Sequence, residues 1–155
     1  SGGDYFLRHE SSNGETQNNT VFSSAPSSTH VNIGGDSGVG NSTDNYVAYC
    51  WHSVSGYSKF GSYTGNNSGW PANTNTNFIS TGFQPDLVMA KSKGSDNWRI
   101  YDSQANSILY PNLTNDADGK GSQGHLTFNT TGFTWNTDNN NYTGTNYIYM
   151  AWKKD

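Results

Sequence analysis

A chain of 155 residues with net charge −4, one cysteine and eight scattered Lys and Arg is long enough for one domain, yet lacks a basic face for nucleic acid, a disulfide framework or a cysteine-rich zinc site. Only 31% is hydrophobic, against roughly 45–50% in ordinary globular domains, and Asn, Ser, Thr and Gly fill close to half the chain. Charged residues at 13% and aromatic residues at 14% favour a core filled by rings over disorder, and no apolar run reaches the roughly 18 residues of a membrane span.

Ser1-Gly2-Gly3 reads as a linker or a cut point, so the chain is open to being a fragment of something longer. Residues 1–19 are expected to form an N-terminal strand and hairpin, a linker or an assembly segment, ahead of a single domain over 20–155. Gly, Asn, Ser and Thr break every helical window. Aromatic and β-branched runs bounded by turn residues predict strands at 4–9, 20–23, 30–33, 46–52, 57–63, 77–80, 86–91, 97–102, 125–129, 132–135 and 146–153. That rhythm predicts an all-β, antiparallel β-sandwich, jelly-roll-like, with long polar loops. Asn13-Gly14 is a type I′ hairpin signal expected to fold the first strand back toward Val21-Phe22.

Residues 45–51 read NYVAYCW and residues 146–152 read NYIYMAW. Each follows an Asn/Gly/Thr-rich loop, and each has a short apolar strand upstream, Val31-Asn32-Ile33 in one case and Phe133-Thr134-Trp135 in the other. A pseudo-duplicated β-unit fits this pattern. Both faces of both segments are apolar, as in strands that sit centrally or in an interface with another chain. Between them, Thr81-Gly82-Phe83-Gln84-Pro85 is a turn, and 86–91 with 97–102 reads as a hairpin with Val88 and Ile100 inward.

Four blocks, YVAYCWHSVSGYSKFGSYTGN, TGFQPDLVMAK, NWRIYDS and NYIYMAW, together resemble a domain of unknown function that recurs in tail-fibre and other virion structural proteins of marine bacteriophages, cyanophages especially. The resemblance covers roughly residues 20–153 and implies a β-rich module on a phage fibre or related appendage, located on the virion outside the cell. It implies partners among other virion or fibre subunits, and it carries no catalytic set.

Candidate chemistry is sparse. A glycosidase needs two facing carboxylates; Asp86 and Asp102, at strand ends, are the best available pair, with turn capping as the ordinary role of such residues. His9, His30, His52 and His125 have no ligand spacing. Cys50, in an apolar run without a nearby cation, reads as a small buried hydrophobe. The stretch around Asp116 and Asp118 resembles the middle of an EF-hand loop, but the twelfth position falls on His125, so only a looser Ca²⁺ cage from these two Asp stays open. No other cofactor is expected. The Asn-X-Ser/Thr sequons are expected by chance in so Asn-rich a chain.

Aromatic residues in polar loops carry the binding hypothesis, because sugars stack on ring faces while amides hydrogen-bond their hydroxyls. Trp70, Tyr63 with Asn66 and Asn67, and Trp135 with Tyr142 around the 138–141 loop are the expected contacts for a host-surface glycan. Trp51, Trp98 and Trp152 read instead as core. The expected role is a non-enzymatic virion structural and adhesion module that self-associates; the alternatives are a purely structural filament subunit and a fibre-borne polysaccharide depolymerase.

Overall fold

The computed structural model describes residues 5–67, 75–105, 107–114 and 125–154. Among them every pair of strands is antiparallel, one isolated bridge between Asn67 and Tyr142 is parallel, and no helix occurs. Two compact units divide the chain, one of Ser1–Arg8 and Glu15–Trp51, the other of His9–Gly14 and His52–Asp155.

The larger unit holds β3 (Ser58–Thr64), β4 (Asn77–Ser80), β5 (Leu87–Ser92), β6 (Arg99–Asp102), β7 (Ile108–Leu109), β8 (Leu126–Asn129), β9 (Gly132–Trp135) and β10 (Asn146–Trp152). They form one sheet in the order β3-β10-β5-β6-β7 and a second in the order β4-β9-β8. Rings join the two layers: Phe133 meets Tyr149 at 5.4 Å and Trp135 meets Tyr101 at 5.2 Å, both edge to face. The result is an open sandwich, not a closed barrel. Its core gathers Val88, Ala90, Tyr101, Ile108, Leu126, Phe133, Trp135, Tyr149 and Ala151.

β10 is an inner strand, between β3 and β5. All seven of its residues pair with β3, and six also pair with β5. Alternation along it buries Tyr147, Tyr149 and Ala151 on the core face and leaves Ile148, Met150 and Trp152 half-buried on the other. Gly61 in β3 makes room for this: a Cβ there would lie 2.8 Å from the Tyr149 ring, so only glycine lets that ring lie across the strand. β5 is buried from Val88 to Ser92. It carries Lys91 at 0% exposure. The Lys91 ammonium donates to the carbonyls of Ser92 at 2.6 Å and Gly94 at 2.7 Å, and burial lowers its pKa from the ordinary value.

The smaller unit is built mainly from turns. β1 (Tyr5–Phe6) pairs with β2 (Thr16–Gln17), and Phe22 bridges Ile33. Asn18 Oδ1 accepts from the Thr20 amide at 2.9 Å and from its hydroxyl at 2.6 Å, while Asn18 Nδ2 donates to Asp36 at 3.0 Å. Such side-chain turns are what Asn and Asp supply where apolar area is short.

Several expectations need correction. The first strand folds back onto Thr16–Gln17 and not onto Val21-Phe22, since the pairing continues no further than the two residues on each side. Val88 shares its face with Tyr101, its direct partner, while Ile100 pairs with Met89 on the opposite face. Residues 46–52 form no strand, and Val47, Tyr49 and Trp51 are 79%, 76% and 63% exposed. Cys50, in that same segment, is consequently exposed and not buried. Trp98 is in the core as expected and Trp152 is half-buried against Phe60 at 5.5 Å, but Trp51, expected in the core too, lies in solvent because its segment has no strand to pack it.

Candidate functional site

At one end of the larger unit, the chain leaving β3 runs beside the loop between β9 and β10. Gly65 donates to Thr145 at 2.8 Å and accepts from Gly144 at 3.1 Å; Asn67 donates to Asn141 at 2.8 Å and accepts from Thr143 at 2.9 Å. The approach is close enough that a Cβ on Gly65 would sit 2.2 Å from the Tyr142 carbonyl. Asn140 takes φ 56°, a left-handed conformation that Asn tolerates better than most residues.

Amides lock the two loops together. Asn141 Oδ1 accepts from the Asn66 amide at 3.1 Å and from Asn77 Nδ2 at 3.0 Å, while Asn141 Nδ2 donates to Asn66 Oδ1 at 3.0 Å. Asn67 Nδ2 donates to the Asn75 carbonyl at 3.1 Å. Below them the Tyr63 hydroxyl donates to the Asn140 carbonyl at 2.6 Å, and Asn140 Nδ2 donates to the Tyr101 hydroxyl at 3.2 Å. Arg99 donates to Asn140 Oδ1 at 3.1 Å and pairs with Asp96 at 2.7 Å. Burial works against the Arg99 charge, but the Asp96 carboxylate overrides it and holds the guanidinium protonated. Burial pushes the Tyr63 and Tyr101 hydroxyls well above their ordinary range, with Tyr147 adding to the effect on Tyr63. Both therefore remain neutral hydrogen-bonding groups.

The expected contact residues divide sharply by exposure. Trp135 is 0% and Asn67 2% exposed. Trp135 packs between Tyr63, Tyr101 and Phe133, and its Nε1 is a buried donor without a partner among the described residues. Tyr63 is half-buried and held under the loop. Asn66 and Tyr142 remain at the surface, with Tyr142 55% exposed. The backbone of Tyr142 is fixed by the Tyr147 hydroxyl, which accepts its N–H at 3.1 Å. Trp70, Asp116 and Asp118 lie outside the described residues. Among the described residues no group of three His, Cys, Asp or Glu is placed to hold a metal.

One concavity was not anticipated. Gln84, Asp86, Ser103, Gln104, Phe128 and Lys153 line an open cleft of about 430 Å³. Asp86 accepts from the Ser103 hydroxyl at 3.0 Å and from the Lys154 amide at 2.8 Å. Asp102 accepts from the amides of Gln104 at 2.7 Å and Ala105 at 3.2 Å. Both carboxylates cap backbone at strand ends. The Gly82-Phe83-Gln84-Pro85 turn and the paired strand-end Asp were the only signals of this cleft in the sequence.

Residues 2–155 match the family described as a domain of unknown function, DUF7483. The chain belongs to that family. No curated protein and no solved structure matches it. The DUF7483 match spans both compact units, so the repeated NY-to-W pattern lies inside one family domain.

Proposed function

We propose that the chain is a non-enzymatic structural and adhesion module of a phage tail fibre or related virion appendage, which meets host-surface glycan with its β3 and β9–β10 loop end. The observation that supports this is the exposed Tyr142 ring, on a loop that bridges Asn67 and is held by the Asn66, Asn67 and Asn141 amides. A ring face for stacking, fixed before the ligand arrives by the amides beneath it, lowers the ordering cost of binding. The resemblance to virion structural proteins supports the location.

Glycan-array binding and host adsorption test the reading in Tyr142→Ala and Trp70→Ala, with circular dichroism to check the fold. A loss of tenfold or more in either variant is expected; wild-type binding in both would remove this site. The exposed segment 45–51 favours a second reading, a filament subunit with a purely structural role. Mass measurement in dilute solution addresses it, since a stable monomer speaks against an obligate polymer.

A further inference from the structure

The cleft lined by Gln84, Asp86, Ser103, Gln104, Phe128 and Lys153 lies at the opposite end of β10 from the Tyr142 loop. Trp152, Leu87 and Asp102 end the ladders there, and the next residue along each chain, Lys153, Asp86 and Ser103, enters the cleft. Asn146 pairs with Thr64 at the far end of the strand, so the length of β10, about 20 Å at the usual strand rise, separates the two places.

The walls are fixed before any ligand enters. Backbone bonding continues past the strands, with the Asp86 amide donating to Trp152 and the Ser103 amide to Asp86, both at 2.8 Å. Gln84 stands between the buried Phe83 and Pro85, on a turn tied down by the Thr81 and Gly82 amides, which both donate to Thr131 at 3.0 Å. Phe128 comes from the other sheet and packs against the core.

These walls mix donors with acceptors. Each Asp86 oxygen accepts one bond from the protein, Oδ1 from the Ser103 hydroxyl and Oδ2 from the Lys154 amide, and a carboxylate oxygen has room for a second. The Ser103 hydroxyl has committed its proton to Asp86 and accepts from Gln104 Nε2 at 3.4 Å. Gln84 and Gln104 are exposed and offer donor and acceptor alike, while Lys153 adds donors only. Sugar hydroxyls donate and accept through the same oxygen and so match such a lining, and the Phe128 ring gives the C–H face of a sugar an apolar surface. One carboxylate and one ammonium cancel: an anion drawn to Lys153 meets Asp86, and an amine drawn to Asp86 meets Lys153. The volume of about 430 Å³ falls within the roughly 300–1,000 Å³ of small-molecule sites.

We propose that this cleft is a second sugar subsite, one that takes a neutral sugar through vicinal hydroxyls on Asp86 and the two glutamine amides, with the ring against Phe128. It shares its ligand class with the loop end, and so rests on the glycan reading, but the two places have no residue in common.

Titration of the ¹⁵N-labelled full chain tests it, with methyl α-mannoside, methyl β-galactoside and N-acetylglucosamine as neutral probes and glucuronate, glucosamine and inorganic phosphate as charged ones. The side-chain amide signals of Gln84 and Gln104 are followed. At least one neutral sugar should move both signals to saturation at millimolar concentration, with the charged probes weaker by about fivefold or more. Gln84→Ala, read through Gln104, should weaken that sugar about fivefold; Phe128→Leu, which keeps the apolar bulk and removes the flat ring, should do the same. Tyr142→Ala should bind in the cleft as the parent chain does. Signals unmoved by all six probes would overturn the subsite, and tighter binding of phosphate or glucuronate than of every neutral sugar would overturn its ligand class. A silent cleft with glycan-array binding lost in Tyr142→Ala removes this subsite and leaves the loop end standing; a responding cleft with array binding intact in Tyr142→Ala and Trp70→Ala does the reverse.

Discussion

Residues 45–51 and 146–152 begin with the same Asn-Tyr-β-branched triplet and end in the same Trp, yet one is exposed coil and the other the most heavily paired strand of the molecule. Tyr147 is 3% exposed, stacks on Tyr63 at 5.1 Å and accepts the Tyr142 amide. Tyr46, its counterpart, is 47% exposed, and its hydroxyl bonds to Asn41 and Ser37 in its own loop. The difference lies in the neighbours, which fits the view that β-propensity measures packing against adjacent strands more than a property of the segment itself.

Paired substitutions test how far that contrast extends. Tyr147→Ala should cost about 3–5 kcal/mol, as for other large buried rings, whereas Tyr46→Ala should cost about 1 kcal/mol or less; urea denaturation followed by circular dichroism measures both, and equal losses would break the comparison. Gly61→Ala should cost about 1–3 kcal/mol through overpacking, because the Tyr149 ring it meets is itself pinned by Phe133 at 5.4 Å. A melting temperature unchanged in that variant would mean that the ring has room to move. Asn141→Ala leaves the Asn66 amide and the Asn77 side chain short of an acceptor, a cost of about 1–2 kcal/mol, while Asn41→Ala in the smaller unit's exposed turn should stay within about 0.5 kcal/mol.

The gentlest probe is pH. Burial raises the hydroxyls of Tyr63, Tyr101, Tyr147 and Tyr149 above the usual 10.0, so the unfolded chain gives up these protons first. Their stabilising contribution is complete below pH 10 and is lost as pH rises toward the raised folded values. Lys91, lowered by burial from 10.5, acts in the opposite sense over a window ending at that value, one group against four. Thermal melting should therefore weaken as pH climbs past 10; a flat profile there would contradict the burial of these hydroxyls.

Much of the sandwich is legible in the sequence because β3, β5, β6, β8, β9 and β10 are aromatic or β-branched runs between turn residues. The same signal over 46–52 produces no strand, since a one-dimensional pattern records the capacity to pair and not the presence of a partner. β7 escapes because two paired residues are too short to show periodicity. Tyr63, Asn66, Asn67, Trp135 and Tyr142 can be chosen from the sequence as aromatic and amide residues in or near loops, and the fold gathers them at one end. Which of them face solvent is set by strand pairing. Asn140 is invisible to local reading because its partners Tyr63 and Arg99 are 77 and 41 residues away. Lys91 is similarly hidden: nothing in its sequence neighbourhood announces that Ser92 and Gly94 will turn their carbonyls toward its amine.

The ring cluster also makes the core a single optical unit. Tyr63, Tyr101, Tyr147, Tyr149, Phe133 and Trp135 are linked by centroid separations from 5.1 to 6.2 Å, so light absorbed by the tyrosines funnels to one indole shielded from water. Trp135 should emit toward the blue on behalf of the sandwich, while Trp51, in solvent, emits toward the red and is open to iodide quenching. One emission spectrum thus carries buried reporters, Trp135 and Trp98, and an exposed one, Trp51, which iodide tells apart.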